Sequence, residues 1–172
     1  MKQSQDAAKP ACQQQILFQE MERLFALSNR RDRAGFQIGD SQSRQDFRLM
    51  ETQARKILDQ TDHQACALQS YAWMMIADAQ INLMLSSDDP SERLRNLRQG
   101  LLACDQAIQT AHASKSSGLI CLILSRALAL ELVAWDHANE GVRAEMAPTL
   151  DEHTQFMDQW QAILDLDRQI GL

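Results

Sequence analysis

The 172-residue chain is poor in what a β-sheet needs. Valine occurs twice, aromatic residues make up 5% of the chain, and no segment alternates apolar and polar residues at period two. Strands draw on β-branched and aromatic residues and show that alternation, so a sheet is not supported. Helix punctuation is scarce as well, with 6 glycines and 3 prolines. A basic surplus is missing. The net charge of −6 argues against sequence-independent nucleic-acid binding, which needs a positive surface. The basic cluster Arg30, Arg31 and Arg33 is diluted by Asp32 and reads as a short solvated charge run.

Cys12, Cys66, Cys104 and Cys121 form no C-x-x-C pair, and no histidine lies at zinc-finger spacing from them. Each sits among apolar helix residues, as expected of free thiols used as small hydrophobes in a reducing compartment. The N-terminus has no apolar core of the kind a cleavable signal carries. The longest apolar run, residues 119–135, contains Arg126 and Glu131 and reads as too short and too charged to span a membrane. A cytoplasmic location is expected, although export by a route without a cleavable signal leaves no mark in such a sequence.

Leucine, alanine, methionine and glutamine are plentiful, and these are good helix formers. With 45% hydrophobic residues the chain can build a core without a metal or disulfide staple. A single all-α domain over residues 1–172 is expected, with residues 1–9 as a loose tail and 29–40 as a long loop.

The apolar periodicity predicts six helices. The first covers residues 11–28, on a stripe from Ile16 to Leu27. The second runs from Ser41 or Ser43 to Gln60, with Phe47, Met50, Ala54, Ile57 and Leu58 on its apolar face. The third is capped by Thr61 or Asp62 and ends at Ser86. The fourth opens on Asp89-Pro90-Ser91-Glu92, where Asp89 can cap, Pro90 suits the first helical position and Glu92 can complete a capping box. It continues to about His112. The fifth follows a turn over residues 113–118 and ends near Asn139, with Gly141 as a stop signal. Pro148 and Thr149 open the sixth, whose apolar positions include Phe156, Met157 and Trp160. Each proline then stands at or before a helix start.

Two of these helices are apolar nearly all round, as helices buried by other helices are, and each carries a charge at its centre. Asp78 lies within Tyr71 to Leu85, and Arg126 within Leu119 to Trp135. A charge in such a setting is costly unless it is paired or reaches water. Placed in parallel at an offset of 48, Trp73, Ile76, Ala77 and Gln80 fall on Cys121, Leu124, Ser125 and Leu128, and Asp78 falls on Arg126. Between them lie Gly100, Cys104 and Ala107, small residues at spacings of four and three.

Over residues 62–168 this pattern resembles the tetratricopeptide repeat family. Trp73-x-x-Ile76-Ala77-x-x-Gln80 is similar to that family's first-helix signature, with glutamine in place of its tyrosine. The offset of 48 exceeds the family's period of roughly 34 residues. The resemblance implies about six helices in antiparallel hairpins, as a short solenoid or a helical bundle. It also implies a groove lined by Tyr71, Met74, Asp78, Ile81 and Asn82 from one helix and by Leu119, Leu122, Arg126, Ala129 and Leu130 from the next. There Asp78 and Arg126 either pair across the groove, bind the charges of a peptide, or serve as a structural ion pair with Arg126 snorkelling to water.

Catalytic signatures are missing. The chain has no Glu-x-x-His, no His-Glu-x-x-His, no Gly-x-Ser-x-Gly and no phosphate-binding glycine loop. Asp136-His137 and Asp151-Glu152-His153 are local acid–histidine clusters that could hold a metal with help from elsewhere. Solvated helix termini account for them, and no cofactor or metal is expected.

The expected function is a non-catalytic protein–protein interaction module, of scaffold, adaptor or chaperone-like kind. It would take a protein or peptide partner, or a second copy of the chain as a homodimer, on an apolar groove formed by Tyr71, Met74, Asp78, Asn82, Leu122 and Arg126. The alternative is a helical-bundle sensor or carrier with an internal pocket for an apolar small molecule, faced by Cys121, Ser125 and Trp135.

Overall fold

The computed structural model describes residue 19, residues 41–61 and residues 65–170. Among the described residues there are five helices and no strands: α1 (Ser41–Gln60), α2 (Cys66–Leu85), α3 (Pro90–Ala113), α4 (Ser117–Asp136) and α5 (Glu140–Ile170). They correspond to the second through sixth expected helices. The expected helix over 11–28, the tail, the loop over 29–40 with its arginines, and Asp62 and His63 lie outside the described residues.

The connections over residues 86–89, 114–116 and 137–139 are short, as between antiparallel neighbours in a bundle, and each consecutive pair from α2 to α5 is in contact. The central helix is α2, packed against α1, α3 and α4. Its apolar character on all sides follows from that position, since Ala72, Met74, Met75, Ile76, Ala77, Ala79 and Ile81 are all buried. From α1, Phe47, Met50, Ala54 and Ile57 supply the expected stripe to the same core.

The α2–α3 contact is close because α3 presents small residues. A Cβ on Gly100 would lie 2.8 Å from Ile81 Cδ1 and 3.5 Å from the Ala77 carbonyl oxygen. Ala103, Cys104, Ala107 and Ala111 continue this buried small-residue face.

Helix ends differ from expectation in three places, each with a local cause. Thr61 does not cap α2. Its hydroxyl donates back to the Ile57 carbonyl at 2.9 Å and closes α1, while Ala65 takes the N-cap position without a side-chain bond. At α3, Asp89 accepts from Ser91 N at 3.0 Å, as a cap should. Glu92, however, accepts from the Ser87 hydroxyl at 2.6 Å, and that hydroxyl accepts from Asp89 N at 3.3 Å. The capping box is thus relayed through Ser87.

The largest correction concerns α5. It begins at Glu140, eight residues before Pro148, which lies inside the helix. Asn139 caps it by accepting from Val142 N at 3.0 Å, so Gly141 stands in its first turn and ends nothing. Proline inside a helix removes one hydrogen bond. Here tertiary packing offsets that loss, because Val142 and Met146, in the turns before the proline, pack in the smaller core with Leu97 and Ala134. Arg143 secures the corner: its Nε donates to the Trp135 carbonyl at 2.9 Å and its guanidinium lies over the Trp135 ring, a cation at the negative end of α4.

The other apolar helix, α4, is buried along one side only. Ile120, Ile123, Leu124, Ala127, Glu131 and Ala134 face inward, whereas Leu122, Ser125, Ala129, Leu132 and Val133 are exposed. By length and composition alone α4 would suffice to cross a membrane, yet its inward side is part of the main core.

Candidate functional site

Although α5 packs on α4, its backbone does not pack against α3. Side chains bridge the gap instead, and the gap is a cleft of about 250 Å³. One wall is a stripe of α3 with Leu97, Leu101 and Leu102, the other a stripe of α5 with Val142, Met146 and Leu150. Arg98 and Glu145 form an exposed ion pair of 3.3 Å across it. Asp105 and Glu131 are the acids on its lining besides Glu145. A second, more open cleft of about 510 Å³ continues toward His112 and Phe156 and shares Asp105 and Thr149 with the first.

Between the two clefts lies a cluster assembled from three helices. His153 of α5 places Nδ1 2.8 Å from Glu131 Oε1 of α4, and Nε2 3.5 Å from Asp105 Oδ1 of α3. The side chains of His153 and Glu131 are only 7% and 2% exposed, and that of Asp105 is 39% exposed. The second oxygen of Glu131, Oε2, is buried and has no hydrogen-bond partner.

Burial disfavours ionised groups, and nearby opposite charge restores them. The Glu131 carboxyl is pushed up by burial and by the charge of Asp105, against the pull of His153. Asp105 is likewise raised by burial, with Glu152 adding and His153 opposing. Burial alone would lower the His153 imidazole. The hydrogen bond to Glu131 and the charges of Glu131, Asp105 and Glu152 outweigh it, and the group titrates above its ordinary value. Cys104, fully buried next to these acids, has its thiol pushed well up by burial and by the charges of Glu131, Asp105 and Asp78.

The residues expected to line a groove are not all on one surface. Met74 and Ile81 are each 1% exposed and belong to the core, and Tyr71 packs against it half-buried. Asp78 accepts from Asn82 Nδ2 at 2.9 Å, one turn along the same helix. Leu122 and Ala129 are on the exposed side of α4, with Arg126 half-buried at its edge. The helices α2 and α4 are in contact, so Asp78 and Arg126 stand on adjoining helices. The positions expected to face an internal pocket are also dispersed: Cys121 is buried, Ser125 is exposed and Trp135 packs on the smaller core.

Of the two acid–histidine clusters, Asp136-His137 is an exposed helix end as expected. His153 is not: it is buried in the middle of α5. The expected solvated terminus rests on a helix start at Pro148, which puts His153 in the first turns; the helix in fact begins at Glu140. Glu131, in the sequence only a charge within the apolar run, falls on the same helical stripe as Ile120, Leu124 and Ala127, and that stripe is buried. Asp105 carries no sequence signal that separates it from other helical acids. Cys66, Cys104 and Cys121 are free thiols.

Comparison with known proteins returns no match: no family model fits the chain, and no curated protein and no solved structure is similar to it.

Proposed function

We propose that the protein is a non-catalytic binding module that holds a small, largely apolar molecule in the cleft between α3, α4 and α5. The observation that carries this reading is the cleft itself, with leucine, valine and methionine walls ending on the acids Asp105 and Glu131. Ligand sites are typically concave and mostly apolar, with a few convergent polar groups whose titration is perturbed. Volume limits the ligand: about 250 Å³ is below the roughly 300–1,000 Å³ that drug-sized molecules occupy. A short apolar body with a hydrogen-bond donor at one end fits the lining. Sensor and carrier roles both agree with this.

Native mass spectrometry of gently purified protein tests it. A retained ligand adds a defined mass, and Leu101→Trp, which fills the cleft, removes that mass while the protein still unfolds cooperatively. Bare protein in every preparation, with no small apolar amine or alcohol raising its melting temperature, would count against the reading.

A second reading, the protein–protein interaction module, draws on the outer side of α4. Leu122, Leu132 and Val133 are 48%, 53% and 40% exposed along one helical face. An amphipathic helix of a partner protein would bury that stripe with Arg126 at its edge. The stacking of α4 on both α2 and α3 also agrees with tetratricopeptide-like hairpins in a short solenoid. Leu132→Glu would abolish a partner complex without altering ligand retention in the cleft, which separates the two readings.

A further inference from the structure

We infer that Asp105, Glu131 and His153 form a binding site for one divalent cation of the zinc type. Three observations converge. One ligand atom from each residue, a histidine nitrogen and two carboxylate oxygens, lies within 4.8 Å of the others. The three come from α3, α4 and α5, so they converge through the tertiary fold and not through a run of neighbouring acids. Glu131, at 2% exposure, carries a buried oxygen with no hydrogen-bond partner.

A purely structural hydrogen-bond network does not account for that oxygen. The imidazole lies between the two carboxyl groups and reaches only one oxygen of Glu131. A buried carboxylate oxygen without a donor is destabilising. A dication would neutralise both acids and engage the orphaned oxygen. The donor set selects the metal class, because imidazole suits zinc and ferrous iron while magnesium and calcium prefer oxygen alone. Metal–ligand bonds of about 2.0–2.2 Å place donors of a tetrahedral site roughly 3.3–3.5 Å apart. Between His153 Nε2 and Asp105 Oδ1 the 3.5 Å already has that spacing, and the widest separation, up to 4.8 Å, has to close by about 1.3 Å.

Three protein ligands leave further coordination positions, and Asp105 and Glu131 also line the apolar cleft. Binding would clip α5 to α3 across the gap where their backbones do not pack. Asp105 and Glu131 belong both to the cleft and to the donor set, and zinc retained by Leu101→Trp while the apolar ligand is lost would separate the two.

Equilibrium dialysis of the full chain against zinc chloride, after stripping with a chelator, tests the site. The expected result is one zinc per chain with a raised melting temperature, weakened by about tenfold or more in Asp105→Asn and lost in His153→Gln. The half-exposed position of Asp105 keeps its variant foldable. Cobalt substituted for zinc should show a spectrum without thiolate charge-transfer absorption. Zinc retained equally by both variants, no zinc retained by the wild type, or a thiolate signature from the cysteines would each overturn the site.

Discussion

His153 on α5 holds the carboxylate of Glu131 on α4 at 2.8 Å in a place where neither side chain is more than 7% exposed. This contact is one of several that join α5 to α4, with the Arg143–Trp135 contact at the other end of the pair. Removing one member of a buried pair strands the other and typically costs about 3–5 kcal/mol, whereas replacing both with apolar residues is often neutral. His153→Leu should therefore destabilise the protein by about 3 kcal/mol in urea denaturation, and adding Glu131→Leu should restore most of that loss. A double variant as weak as the single one would show that the pair itself holds α5 in place.

The same cluster sets a pH dependence in the metal-free protein. The imidazole faces Asp105 of α3, Glu131 of α4 and Glu152 of its own helix, and its folded value is raised from 6.5. A raised folded value means that the native state binds the proton more tightly than the unfolded chain. The resulting stability is fully present below about pH 6.5 and lost as pH rises through the folded value. Glu131 and Asp105 are raised as well, so they act in the same direction at lower pH. Urea midpoints should fall between pH 6 and 8 for the wild type, and His153→Gln should remove the fall in that window, which lies below the range where the raised Cys104 and Cys121 thiols add their own.

The described thiols should react in a fixed order. Cys66 is partly exposed, while Cys104 and Cys121 are buried and their thiols are raised, mainly by burial. Reactivity follows the thiolate and its access. Maleimide labelling of native protein followed by peptide mapping should mark Cys66 first and leave Cys104 unmodified until denaturant is added. Early modification of Cys104 would contradict its burial beneath the acids.

Gly100 tests the closeness of α2 and α3. Alanine there gains about 1 kcal/mol of helix propensity. Its Cβ would lie 2.8 Å from Ile81 Cδ1 and 3.0 Å from Ile81 Cγ1, and Ile81 is itself fully packed. Overpacking of this kind costs about 1–3 kcal/mol, so Gly100→Ala should lose about 1 kcal/mol net. Ile81→Val in the same chain should be better tolerated than Ile81→Val alone. Thermal melts of the three variants decide it.

The asymmetry between the two apolar helices explains what could be read early and what could not. Asp78 and Arg126 stood out because each interrupts an apolar run. Yet Arg126 lies off the inward stripe of α4 and is half-buried, whereas Glu131 lies on that stripe and is sealed in. The stripe through Ile120, Leu124, Ala127 and Glu131 was visible as helical spacing. What hid its meaning was the wide apolar character of α4, which leaves several faces equally eligible for burial. His153 was hidden by a different cause. Pro148 carries the local features of a helix start, but the residues before it are held helical by Asn139 at the cap and by the packing of Val142 and Met146.

The chain's own residues determined the helical class, the positions of α1, α3 and α4 to within a few residues, and the small-residue face at Gly100, Cys104 and Ala107. Those properties depend on local propensity and on a 3.6-residue period, both of which are written along one dimension. Only the tertiary structure decided that α4 keeps one side exposed, that α5 begins at Glu140, and that Asp105, Glu131 and His153 meet. Burial and charge pairing are properties of neighbours brought together by packing, and residues separated by 22 and 26 positions become neighbours only when α5 folds back against α4 and leaves its cleft to α3.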